Sequence, residues 1–218
     1  MKIICIGRNY LAHVKELDNA LPTEPMFFMK PETALLAPGE SFPYPDFSKE
    51  IHYETELVLR ICKSGKAIDE KKASEYYDAI TVGIDFTARD LQSQCKAKGH
   101  PWEIAKAFDY SAPIGEFKNI SELNHPEDIA FGMKLNGEWV QQGHSRDMIF
   151  SFDKIIAHVS RFVTLNEGDI IFTGTPQGVG EVHVGDKLEL FLENEFVFGF
   201  KVKFELLLFV FIFNFFGS

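Results

Sequence analysis

The sequence predicts a β-rich α+β fold with only a few short helices. Three observations predict it. Runs of β-branched and aromatic residues recur along the chain, at 2–7, 26–30, 51–61, 79–86, 169–173, 187–192 and 196–204. Asn136-Gly137 sits within residues 129–142, and this dipeptide between apolar runs is a strong hairpin signal. Helical spacing is confined to short stretches. The clearest is Phe152, Ile155, Ile156, Val159 and Phe162, within residues 151–163.

In chain order, residues 2–7 read as a first strand, and residues 8–17 as a segment with one or two helical turns. His13 and Glu16 are three apart there and share a helix face. Residues 18–50 are proline-rich, with Pro22, Pro25, Pro31, Pro38, Pro43 and Pro45, and the apolar strand Met26 to Lys30 interrupts them. So long a connection points to a functional segment such as a lid. Residues 51–61 read as one strand, so Glu54 and Glu56 project from one face. Residues 68–77 are expected to be helical, capped by Asp69. Residues 79–86 form a strand with Asp85 at its end. Thr87 is expected to cap the next helix, with Asp90 in its acidic first turn and a stop at Gly99-His100-Pro101. Asp169 to Thr173 reads as a buried strand, and Gly174 to Gly180 as a tight loop. That loop lacks the Gly-Lys-Ser/Thr ending and following helix of a phosphate cradle.

A length of 218 residues suits one domain over 1–203 with a tail at 204–218. The tail is almost wholly apolar up to Phe216 and too short to span a bilayer. An extra buried strand, an interface patch and sequence foreign to the domain all fit it. A net charge of −10 argues against nucleic-acid or anionic-membrane partners. An anionic substrate would have to find local positive charge. Cys5, Cys62 and Cys95 are odd in number and form no Cys-x-x-Cys pair, which predicts reduced thiols and a cytoplasmic protein. The short apolar N-terminal run ends at Arg8 and does not read as a signal peptide.

Two carboxylates side by side repel each other unless a proton or cation lies between them. Glu54-x-Glu56 alone is more often a solvated strand face. Asp85 at the end of another strand makes a third acid, and three acids with waters would complete an octahedral oxygen site for Mg²⁺, Mn²⁺ or Ca²⁺.

Six motifs occur in order. They are Gly7-Arg8-Asn9-Tyr10, His13-x-x-Glu16, Tyr53-Glu54-Thr55-Glu56, Gly83 to Asp90, Lys106-x-Phe108-Asp109 and Thr173 to Gly180. On these motifs the chain resembles the fumarylacetoacetate hydrolase family, in particular its short acylpyruvate hydrolase and oxaloacetate decarboxylase branch, from about residue 2 to 203. The resemblance implies a mixed β-sandwich or roll and a homodimer. It implies Mg²⁺ or Mn²⁺ on Glu54, Glu56 and Asp85, with Ca²⁺ as a possible substitute. It places His13 and Glu16 in a lid, at about residues 10–30, that orders over substrate. Lys106 matches the family's site lysine. Arg8, Asn9, Arg89, Gln92 and Thr175 match its substrate contacts.

The implied substrate is a small anionic 2-oxo acid. In a 2,4-dioxo acid, water activated by His13 and Glu16 attacks the distal carbonyl. The C–C bond then breaks to an enolate whose charge a cation and Lys106 can stabilise. Loss of CO₂ from oxaloacetate, or tautomerisation or isomerisation of a hydroxylated dienedioate, would use the same site. A non-catalytic ligand-binding module is the reading from outside enzymology.

Overall fold

The computed structural model describes residues 1–16 and 20–204. Two sheets carry most of the chain. The first has six strands in the spatial order Lys118–Asn119, Tyr77–Ile84, Thr55–Ile61, Ile170–Phe172, Ile3–Gly7 and Met26–Lys30. Ile3–Gly7 runs parallel to Ile170–Phe172, and the other pairs are antiparallel. The second has five, in the order Glu138–His144, Ala130–Leu135, Lys187–Leu192, Glu195–Phe204 and Phe42–Tyr44. Leu57, Leu59, Ile80 and Val82 of the first sheet join Met133, Leu188 and Leu190 of the second in one buried cluster. The sheets thus share a core, as the strand-rich reading requires.

Side-chain alternation decides which face carries chemistry. Along Thr55–Ile61, Leu57, Leu59 and Ile61 point into the shared core, whereas Val58 packs with Ile3, Cys5 and Phe172 on the other face. Glu56 is two residues from Val58 and belongs to that second face.

Several expectations need correction. Residues 51–61 are not one strand. Ile51–Tyr53 pairs with Gly180–Glu181 and Thr87–Ala88 in a separate three-stranded sheet, and Thr55–Ile61 belongs to the six-stranded one. The chain changes sheets at Glu54, whose carbonyl accepts the Asp85 N–H at 2.8 Å. Thr87 is no helix cap, because its backbone is in a strand; helix Arg89–Lys98 starts after Ala88, without a side-chain cap. Asp90 does lie in the first turn, where it accepts from Ser48 Oγ at 2.7 Å. Gly99, at φ 66°, ends that helix as expected. Residues Glu70–Tyr76 form a 3₁₀ helix, tighter than an α-helix, with Asp69 as its cap. Helix Phe152–Phe162 stands as expected, capped by Ser151, and Asn136 and Gly137 turn the hairpin with φ 53° and 90°. No helix among the described residues is long and apolar enough to cross a membrane. The apolar tail, apart from Phe204, lies outside the described residues.

Candidate active site

The register of two antiparallel strands assembles the acidic cluster. Thr55 pairs with Ile84 and Glu56 with Gly83, so Asp85 arrives opposite Glu54. One oxygen from each of Glu54, Glu56 and Asp85 lies within 4.8 Å of the others, and all three residues are buried. Buried carboxylates at that separation need compensating charge. Lys106 Nζ donates to Glu54 Oε2 at 2.8 Å and to Asp85 Oδ2 at 2.7 Å. Arg89 Nη2 donates to Glu54 Oε1 at 2.5 Å, and its Nη1 to Gln92 Oε1 at 2.7 Å.

The pairing divides the acids. Burial works to raise the Glu54 pKa, but Lys106 and Arg89 outweigh it and hold Glu54 well below the carboxylate range. Glu56 has no basic partner among its hydrogen bonds, only the Gly174 N–H at 2.7 Å. Burial, then Asp85 and Glu54, push its pKa well up. For Lys106 burial pulls the pKa down, yet Asp85 and Glu54 prevail and hold it above its ordinary value. Asp85 Oδ1 is buried and accepts no hydrogen bond, although Lys30 Nζ stands 2.8 Å away, off the bonding direction. An oxygen-only donor set in which Glu56 has no basic partner fits a hard divalent cation.

The cavity that these acids floor is also walled by Arg8, His13, Arg89, Gln92, Lys106 and Thr175. Nearly all the candidates therefore meet there. His13 comes from the short helix Leu11–Glu16 and is 4% exposed, and its Nδ1 lies 3.1 Å from Glu16 Oε2. Glu16 sits behind His13, and its Oε1 accepts the Gly178 N–H at 3.0 Å. Thr175 Oγ1 donates to the Thr55 carbonyl at 2.9 Å, so its hydroxyl proton is spent within the protein. Asn9 is placed elsewhere. It is fully buried outside the cavity wall, and its amide group bonds Phe150 and Thr173 backbone groups at 2.7–3.0 Å. It clamps two loops.

Two cations escaped the sequence reading. Lys30 is buried; besides its proximity to Asp85 it donates to the Phe86 and Lys106 carbonyls and to Ser111. Its signal was period two: Phe28 lines the cavity, so Lys30 two residues on shares that face. Lys96 lines the cavity one helical turn beyond Gln92, with its ammonium 5.5 Å from the Trp102 ring centre. Its signal was the Arg89, Gln92, Lys96 spacing along one helix face. Lys30→Met would leave Asp85 with Lys106 alone, and breaking a buried pair costs about 3–5 kcal/mol. In a chain of this size the melting temperature should fall by roughly 10 °C, read by calorimetry. An unchanged melting temperature would show that Lys30 contributes nothing to holding Asp85.

Comparisons with known proteins give the family and the fold. Residues 2–199 match the family described as Fumarylacetoacetate (FAA) hydrolase C-terminal. The Homo sapiens protein named Oxaloacetate tautomerase FAHD1, mitochondrial, is 40% identical over 201 residues, covering 92% of this chain and 91% of the relative. The fumarylpyruvate hydrolase of Pseudomonas aeruginosa, solved with Mn²⁺ and pyruvate, is 38% identical with a TM-score of 0.87, over 94% of this chain and 90% of that one. The 2-hydroxyhepta-2,4-diene-1,7-dioate isomerase of Mycobacterium marinum is 30% identical with a TM-score of 0.80, over 94% and 75% of the two chains. The protein belongs to the fumarylacetoacetate hydrolase family and shares the strand-rich fold of these enzymes.

Proposed function

We propose that this chain is a Mg²⁺- or Mn²⁺-dependent hydrolase that cleaves a C–C bond in an acylpyruvate-type 2,4-dioxo acid, such as fumarylpyruvate or acetylpyruvate. One observation carries the reading: His13, backed by Glu16, lines the same cavity as three converging carboxylates. A divalent cation held by Glu54, Glu56 and Asp85 would supply Lewis acidity toward the carboxylate and keto oxygens of the 2-oxo acid.

The chain's own residues do the rest. The Glu16 carboxylate accepts Nδ1–H of His13 and fixes the tautomer, which leaves Nε2 as the base. His13 takes a proton from water as its oxygen adds to the distal carbonyl. The bond between that carbon and C3 breaks, and its electron pair stays with the pyruvyl fragment as an enolate. The Lys106 ammonium offsets that charge. The proton on His13 then returns to complete pyruvate and a carboxylic acid. Arg8 and Lys96, lining the cavity, supply charge for a second carboxylate at the far end of a diacid.

The cavity holds only about 30 Å³, room for little more than a water. A dioxo acid needs its wall to move. In this proposal the moving wall is the lid at residues 10–16 and 20–25; Met26–Lys30, expected within the lid, is a paired strand of the first sheet and stays with it. Hydrogen exchange of residues 10–16 and 20–25 is expected to slow when oxalate and Mg²⁺ are added together. Unchanged exchange would remove the lid from the mechanism.

A second reading has specific support. Several relatives near 40% identity are named as oxaloacetate tautomerases. Enol–keto exchange needs only a proton moved between oxygen and C3, which the same His13 could carry. Decarboxylation of oxaloacetate and isomerisation of a dienedioate fit the site equally in outline. Steady-state rates on acetylpyruvate, fumarylpyruvate and oxaloacetate decide among them. Hydrolysis of the dioxo acids, abolished by excess chelator, is the expected result. Turnover of oxaloacetate alone would replace the hydrolase by the tautomerase or decarboxylase. A homodimer and a cytoplasmic location belong to the same proposal. The relatives named as mitochondrial make fractionation the test of the second.

A further inference from the structure

We propose that Gln141 is a positioning residue that couples the carboxylate strand to the lid through the loop at residues 174–178. The inference rests on the proposed roles of His13 and Glu16. Gln141 stands on Glu138–His144 of the second sheet, is 2% exposed and does not line the cavity. Its Oε1 accepts the Thr55 N–H at 2.9 Å, the peptide between Glu54 and Glu56. Its Nε2 donates to Thr175 Oγ1 and to the Pro176 carbonyl, both at 3.0 Å. Thr175 Oγ1 passes its own proton to the Thr55 carbonyl at 2.9 Å. One amide therefore closes a ring between the carboxylate strand and the loop.

The same loop grips both halves of the site. Its Gly174 N–H holds Glu56 Oε2 at 2.7 Å, and its Gly178 N–H holds Glu16 Oε1 at 3.0 Å. The loop is pressed onto the strand of Gln141: at Gly178, with φ 94°, a Cβ would stand 2.6 Å from the Val140 carbonyl oxygen. Only a side chain with one acceptor and two coplanar donors at this reach makes all of Gln141's bonds. The aim of Glu16, and so the tautomer of His13, is set by a residue remote from the substrate.

The test uses the whole chain with no added metal or ligand. Gln141→Met removes every bond while keeping volume. Val159→Ala, in the buried face of helix Phe152–Phe162, is the control for a general loss of stability. Pulsed hydrogen exchange of Leu11–Glu16 should be about tenfold or more faster in Gln141→Met than in Val159→Ala, at matched melting temperature. Hydrolysis by the metal-loaded protein should fall about 10–100-fold, the scale for removing a partner that orients a site group. Gln141→Glu keeps the acceptor toward Thr55 but loses the donors, and should loosen Leu11–Glu16 equally. If the Met variant does not fold, the Glu variant gives the comparison. If neither folds, Thr175→Val cuts the same ring at its hydroxyl. Exchange at the Val159→Ala level in the variants that fold would overturn the proposal. The exchange needs no turnover, so failure to hydrolyse any acylpyruvate would sink the functional reading and leave this comparison decisive.

Discussion

Asp85→Ala is expected to abolish turnover of every 2-oxo acid, with rates down at least about 10³-fold at any Mg²⁺ concentration. Asp85 supplies an oxygen of the three-acid cluster, and the Lewis acidity lost with the cation is worth several kcal/mol at the transition state. The same change strips a partner from two buried ammonium groups. Lys106 keeps Glu54, but Lys30 is left with carbonyls and a hydroxyl only. A further loss of about 3–5 kcal/mol of stability should follow. Mn²⁺ titration by calorimetry, at a temperature where the variant is folded, separates the two effects. Retained Mn²⁺ affinity together with retained activity would remove Asp85 from the metal site.

His13→Ala is expected to split the candidate reactions. Hydrolysis of an acylpyruvate needs an activated water, and losing a general base costs about 10²-fold or more. Decarboxylation of oxaloacetate needs no water and should lose far less. The measurement is the ratio of the two losses under saturating Mg²⁺. Equal losses would assign His13 to lid closure or binding, because neither role distinguishes the reactions. Enol–keto exchange falling as steeply as hydrolysis would make His13 a general proton carrier and favour the tautomerase.

Local periodicity made only His13, Glu16, Glu54 and Glu56 legible, whereas Arg8, Arg89, Gln92, Lys106 and Thr175 were legible only through the family resemblance. The helix spacing of His13 and Glu16 survives in three dimensions as a 3.1 Å contact. Glu54 and Glu56 converge with Asp85, although the strand drawn through them breaks at Glu54. No local signal marks that break, because it comes from a partner strand ending 30 residues later, at Ile84 and Asp85. Thr87 failed as a cap for the same reason: its backbone is recruited by Ile51–His52, far back in the chain. Asn9 sat in a motif that suggested substrate contact, yet its amide bonds two distant backbones. Gln141 carried no sequence signal whatever, since its partners Thr55 and Thr175 lie 86 and 34 residues away.

The order of strands in the two sheets has a temporal consequence during synthesis. Ile3–Gly7 is gripped on one side by Ile170–Phe172, and Phe42–Tyr44 closes only against Val202 to Phe204. The acids at 54, 56 and 85 leave the ribosome with their own two paired strands, long before Ile170–Phe172, which joins that pair to Ile3–Gly7. At about 5–20 residues per second, that wait is on the order of ten seconds. Over this interval the pair Thr55–Ile61 with Tyr77–Ile84 and the pair Ile3–Gly7 with Met26–Lys30 lack the strand that joins them. Such non-local pairing places refolding in the milliseconds-to-seconds class of β-dominated topologies. Until Ile170–Phe172 emerges, the facing edges of Ile3–Gly7 and Thr55–Ile61 stay unpaired, the kind of edge that invites association of nascent chains.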